Sequence, residues 1–319
     1  MREVLASAAF ATALAFATPA AAEMPAVAGT NVDLEGFGII IDEDTLYGGA
    51  GSLALPITEQ IGAQIDVVGG DFDEEFTWGV AGRLFWRSPT AGRIGLTASH
   101  VEFGDLFDMQ QYALEGEYFF DAVTLQASGI YQDDEITEGG GLLNLGLRIY
   151  PSDNFVINLA ASGKTFDDFD DIQGAVGLEA QLFNGFSLFA DAYVGSESDE
   201  TYMLGLKVNL GGRAKSLKDQ HRMEQVENFL LGSSGAFGGG IGAAGATIAA
   251  ARDFQVFAAQ CGIVGDLLVQ IDNASGSALT ALLSQLAGVG YTADDALLCA
   301  ANDLITIPLG LDLDATFNP

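Results

Sequence analysis

Residues 76 to 87 read Phe76-Thr77-Trp78-Gly79-Val80-Ala81-Gly82-Arg83-Leu84-Phe85-Trp86-Arg87, and their alternation decides the fold class. Successive side chains of a strand point to opposite faces. Phe76, Trp78, Val80, Gly82, Leu84 and Trp86 therefore share an apolar face, whereas the other face carries Arg83 and Arg87. Downstream, Leu143, Leu145, Leu147 and Ile149 stand in the same way against Asn144 and Arg148. So do Tyr202, Leu204, Leu206, Val208 and Leu210 against Met203, Gly205, Lys207 and Asn209. The unit recurs from Asn31 to Gly211 and predicts twelve strands, near 31–41, 46–55, 60–69, 76–87, 93–103, 110–120, 123–132, 141–150, 154–165, 171–182, 185–194 and 201–211. The 41 glycines and 10% aromatic content beside only 7 prolines suit such an all-β chain better than a helical bundle.

The connections alternate in character. After the even strands come tight turns, Pro56-Ile57-Thr58-Glu59, Ser88-Pro89-Thr90-Ala91, Asp121-Ala122, Pro151-Ser152-Asp153 and Asn184-Gly185, the last a type I′ hairpin signal. After the odd strands come acidic loops, among them Asp71, Asp73, Glu74 and Glu75, then Asp133, Asp134 and Glu135, then Asp167, Asp168, Asp170 and Asp171. An even strand number with short turns at one end and charged loops at the other matches a closed transmembrane barrel. Alternation alone does not say which face is inside, since a soluble barrel would bury the apolar one. Size favours the membrane. Twelve strands closing on an apolar lumen leave too much room to fill, whereas a lipid-facing apolar band around a polar interior needs no such filling. The lumen is then expected to hold Asp66, Arg83, Arg87, Arg93, Glu115, Glu117, Arg148, Lys164, Glu179, Asp191 and Lys207, as a selectivity ring or as interior ion pairs. Phe85, Phe119, Phe183, Phe189 and Tyr193 on the same face favour a narrow or plugged interior.

Residues 1–22, MREVLASAAFATALAFATPAAA, read as a secretory signal peptide, with Arg2 as a basic start, an apolar run from Val4 to Ala17 and a small-residue cut site before Glu23. A short segment, 23–30, leads into the barrel, 31–212. Together with the strand and loop pattern, this resembles the Gram-negative outer-membrane β-barrel proteins of the porin-like kind. Met203-Leu204-Gly205-Leu206-Lys207-Val208-Asn209-Leu210 resembles the assembly signal such proteins present to the barrel-insertion machinery, although it lacks a terminal Phe or Tyr and the chain runs on to Pro319. The resemblance implies an outer-membrane location, with outer-membrane lipid and the insertion machinery as partners. The expected function is a passive channel for small solutes or ions, cation-preferring because the acidic loops gather at one mouth. The competing expectation is a non-conducting structural or adhesive barrel with a periplasmic interaction domain.

Several other functions are disfavoured. A net charge of −32 excludes a protein that coats nucleic acid phosphates. Catalysis by imidazole would have to use His100 or His221, and Ser99 and His100 stand on opposite faces of a strand, so no enzyme is expected. No cofactor is expected, and the two cysteines are not spaced with histidines as zinc ligands. Divalent cations could meet the acidic loops, none of which fits a dedicated calcium loop.

Beyond Gly212 the alternation stops. Residues 213–248 are expected to form a linker, basic from Arg213 to Arg222 and Gly-rich after Gly232, with a short helix over Met223 to Leu231. Residues 249–319 show apolar positions at helical spacing and predict a small helical extension on the periplasmic side. A Cys261–Cys299 disulfide would staple it in an oxidising compartment.

Overall fold

A computed structural model describes residues 25–41, 44–72, 75–103, 107–134, 140–166, 169–195, 200–212, 214 and 216–231. Twelve strands form one closed antiparallel barrel: β1 (Asn31–Ile41), β2 (Asp44–Pro56), β3 (Ile61–Phe72), β4 (Glu75–Ser88), β5 (Gly92–Phe103), β6 (Phe107–Phe119), β7 (Val123–Asp134), β8 (Gly140–Ser152), β9 (Phe155–Phe166), β10 (Phe169–Phe183), β11 (Phe186–Gly195) and β12 (Thr201–Leu210). Each strand pairs with the next, and β1 closes on β12 from Val32 opposite Leu210 to Ile41 opposite Thr201. Closure leaves no unpaired edge. Bounds differ from expectation by one to three residues, and the largest extensions are at the acidic end. β3 runs to Phe72 and β6 begins at Phe107, because the hairpin ladder continues past the first loop carboxylates. In the Asn184-Gly185 turn, Gly185 takes the positive φ of 76° and its carbonyl accepts from Asn209 N at 2.7 Å.

The exposures settle which face is inside. Leu96, Leu204 and Ile172 are 63%, 67% and 73% exposed on the outer surface, while Asp66 and Arg87 are fully buried within. Apolar side chains outside and charges inside suit a barrel whose solvent is lipid. The chain is thus a closed β-barrel with an apolar outer face and a charged interior, all-β apart from one short helix among the described residues. Phe85, Phe119, Phe189 and Tyr193 face inward as expected. Phe183 does not. The register shifts between Gln181 and Phe183, turning its ring outward to stack on Phe186 with centroids 4.6 Å apart. On β12, Gly205 makes room for an inward ring, since a Cβ there would overlap the Phe189 side chain.

The region after β12 departs from expectation. The helix, α1, is Leu217–Met223 and not Met223 to Leu231. Ser216 caps it by accepting from Asp219 N at 3.2 Å. Residues 224–231 are not helical, because their amides and carbonyls find partners on the barrel wall. Nor are 214–231 a solvated linker. Lys218 pairs with Asp153 at 3.0 Å, Leu217 packs with Tyr150 and Val156, and Arg222 donates to Val123 O at 3.2 Å and lies over the Phe119 and Tyr150 rings. These contacts seat α1 against the short-turn end of the barrel. Residues 1–22, the Gly-rich stretch, the predicted helical extension and the Cys261–Cys299 pairing lie outside the described residues, as do Asp73, Glu74, Glu135, Asp167 and Asp168. For Lys164, Glu75, Asp134, Asp170 and Asp171 the backbone is described and the side chain is not.

Candidate functional site: an occupied lumen

Ten of the predicted lumen charges face inward: Asp66, Arg83, Arg87, Arg93, Glu115, Glu117, Arg148, Glu179, Asp191 and Lys207. They form two ladders across neighbouring strands. In the first, Glu115 of β6 accepts from Arg83 Nε (3.2 Å), Thr97 Oγ1 (2.6 Å) and Arg93 Nη1 (2.8 Å). Arg93 Nε reaches on to Glu117 at 3.1 Å, which Gln126 of β7 also donates to at 3.0 Å. The second crosses the closure of the barrel. Lys207 of β12 lies 3.7 Å from Glu35 and 3.8 Å from Glu179, and Ser187 donates to Glu179 at 2.6 Å. The charge-assisted bonds from shared donors offset the desolvation cost that each buried carboxylate pays. Asp191 faces in with Oδ2 lacking a hydrogen-bond partner among the described residues.

Residues 224–231 run up the centre of this charged half and bond to the wall at successive heights. Arg87, next to the turn, donates to Glu224 O at 2.9 Å and to Ala26 O at 3.1 Å. Gln64 then clasps Val226 in both directions, donating to its carbonyl at 2.7 Å and accepting from its amide at 2.9 Å. Arg83 donates to Glu227 O at 2.9 Å, and Arg148 pairs with the Glu227 carboxylate at 3.0 Å. Near mid-barrel, Phe229 N donates to Asp66 at 3.2 Å and Asn228 donates to Ser52 at 3.2 Å. Asn228 Oδ1 accepts from Leu230 N and Leu231 N, and Phe229, Leu230 and Leu231 are fully buried. Val226 closes a small apolar cluster with Val27, Ala54 and Phe85.

The inward set that sequence reasoning missed has two parts. Asp33 and Glu35 alternate with Val32 and Leu34 on β1 and were readable by the same rule. Glu224 to Leu231 were not, because a chain crossing a lumen has no period. Ser99 faces the lumen and donates to Gln111 at 3.4 Å, whereas His100 packs edge-on against Trp78 outside. His221 on α1 lies between Tyr150 (3.1 Å, Nδ1) and Glu179 (3.3 Å, Nε2). Burial, with Arg148 nearby, outweighs Glu179 and lowers its pKa to about 4, so at neutral pH it is neutral, accepting from Tyr150 and donating to Glu179. Among the described residues no cluster of His, Cys, Asp and Glu could hold a metal.

This gives a pH prediction. A folded pKa below the ordinary histidine value means the undocked state binds the proton more readily. The seat of α1 should be fully held above about pH 6.5 and weaken as pH falls toward about 4. The groups facing His221 are Tyr150, Glu179, Arg148 and Lys207. Limited proteolysis across 214–231 should speed up over that range, and a His221→Gln variant should flatten the change.

No family model matches the chain, and no curated protein matches it. Solved structures do resemble it in architecture. The KdgM porin is 12% identical with a TM-score of 0.47, covering 55% of this chain and 98% of that one. The NanC porin is 8% identical with a TM-score of 0.44, covering 56% and 98%. The COG4313 outer membrane channel from Pseudomonas putida F1 is 10% identical with a TM-score of 0.43, covering 60% and 98%. The likeness is one of barrel form.

Proposed function

We propose that this chain is an outer-membrane channel for small solutes or ions that its own residues 224–231 hold closed. The observation that carries this is the bonding of those residues to the wall at Arg87, Gln64, Arg83, Arg148 and Asp66 in turn. A passing ion would have to displace a segment already satisfying those buried groups. When the channel opens it prefers cations, because Asp71 and Asp133 are exposed at the loop end, where most of the acidic loop residues fall in sequence, and their summed field concentrates cations at that mouth. Outer-membrane lipid contacts the apolar band, and assembly uses the barrel-insertion machinery.

Planar-bilayer recording of the full chain tests this. Long closed intervals with brief openings are expected, and a pore steadily open from the moment of insertion contradicts the reading. Under a KCl gradient the openings should show a cation-selective reversal potential. Changing Asp167, Asp168, Asp170 and Asp171 to Asn should reduce it at low salt and have little effect above about 0.1 M, where the Debye length falls below about 10 Å.

A further inference from the structure

Residues 224–231 meet the wall largely through their backbone. Arg87 donates to Glu224 O and Arg83 to Glu227 O, Gln64 bonds both the amide and the carbonyl of Val226, and Phe229 N donates to Asp66. Bonds of that kind do not depend on which side chain the bonded residue carries. An extended residue presents its N–H and C=O to the same side, as the paired residues of an antiparallel ladder do. The Gln64 amide sets one donor beside one acceptor and matches that arrangement, which a free ion lacks. The wall groups also hold one another. Gln64 donates to Asp66 at 2.7 Å, Arg83 to Glu115 and to Thr97 at 3.2 Å, and Arg148 to Asn158 at 3.2 Å. Their positions therefore survive departure of the segment and leave a preorganised site.

We propose that this stretch of wall, on β2, β3, β4 and β8, is a binding site for short extended peptides, that residues 224–231 occupy it in cis, and that such peptides are a solute class of the opened channel. This rests on the proposed closure of the lumen by 224–231 and deepens it by naming what competes with them. Main-chain bonds supply the affinity and side-chain pockets the preference, as where a peptide adds to a sheet edge. The side chains of the segment show what each pocket accepts. Val226 fits among Val27, Ala54 and Phe85, so its position takes an apolar residue. Glu227 pairs with Arg148 at 3.0 Å, so the next takes a carboxylate. Asn228 donates to Ser52, which makes the following position polar. The Phe229 ring centroid lies 5.8 Å from the Arg83 guanidinium, within reach of a cation–π contact, so the last position takes an aromatic ring. The ligand is thus an extended peptide that reads apolar, acidic, polar, aromatic.

The test uses the full chain carrying Glu227→Ala and Asn228→Ala, which weaken the segment at the wall, in a planar bilayer. The probe is a synthetic peptide of residues 224–231 with acetyl and amide ends, added to both chambers. Discrete blocks are expected, and their frequency should rise with peptide concentration. A scrambled peptide of the same composition, and one with Glu227→Gln, should need about tenfold more for the same block, the factor that one bond to a charged group carries. Equal block by the scrambled peptide, block by free glutarate at the same concentration, or no block overturns the inference. Capture gives a second readout that needs no conductance. With Ala54→Cys added to that chain, and Cys261 and Cys299 changed to Ser, a peptide carrying Val226→Cys should be linked by a short thiol-bridging reagent. Leu53→Cys, on the outer face of the same strand, should not be linked. Heat-modifiable migration confirms that each variant is folded, and linking at neither position or equally at both overturns the inference. The two readings fail separately. An unaltered chain that stands open contradicts the closure itself, whereas closures in the unaltered chain together with indifference to the peptide contradict only the peptide site.

Discussion

A chain carrying Glu227→Ala and Asn228→Ala is expected to dwell open in a planar bilayer about tenfold to a hundredfold more than the unaltered chain. Glu227 pairs with Arg148 at 3.0 Å inside the lumen, and Asn228 both donates to Ser52 and holds the amides of Leu230 and Leu231. A hydrogen bond to a charged group is worth about 1.5–3 kcal/mol net, and each 1.4 kcal/mol is a factor of about ten in an equilibrium. The strand pairing of the barrel should persist, because Arg148 keeps its bond to Asn158 at 3.2 Å and no strand pairing involves residue 227 or 228, although some stability is lost with the Arg148 partner. An open fraction equal to that of the unaltered chain would show that the segment does not close the pore.

The second large effect belongs to the wall. Arg83→Met should destabilise the folded barrel by about 3–5 kcal/mol, the cost of breaking a buried charge network from one side. Arg83 donates to Glu115 and Thr97 and to Glu227 O, and lies 3.7 Å from Asp66, with both side chains fully buried. Its loss leaves Asp66 with no cation at that distance among the described residues. Adding Asp66→Leu should therefore recover part of the loss, and the double-mutant cycle isolates the pair. Urea unfolding in lipid vesicles measures all three variants. A single substitution that costs no more than a surface change would mean the ladder is wetter than its burial indicates.

The barrel was legible because a strand in lipid keeps a strict two-residue period. Phe76 to Arg87 carries the whole argument, and the turn and loop chemistry told the two ends of the barrel apart. Phe183 broke the pattern because a register shift leaves no mark in a run such as Gln181-Leu182-Phe183. The occupied lumen was legible only as bulk, through Phe85, Phe119 and Phe189. Residues 224–231 were hidden for a physical reason. Their conformation is set by partners more than a hundred residues away in sequence, such as Gln64 for Val226, and not by local propensity. The basic run before them looked solvated because charge alone does not reveal that Arg222 and Lys218 bind turn carbonyls and Asp153.

The central claim is that residues 224–231 sit inside the barrel against its wall. Cross-linking tests it most directly, with Gln64→Cys and Val226→Cys in a chain whose Cys261 and Cys299 are changed to Ser, treated in native outer membranes with a short thiol-bridging reagent. Gln64 bonds to both backbone groups of Val226, so this pair should close a covalent loop efficiently, visible as a mobility shift after denaturation. A control pair of Gln64→Cys with Lys218→Cys at the rim should not. Failure of the first pair to link, or equal linking of both, would contradict the account.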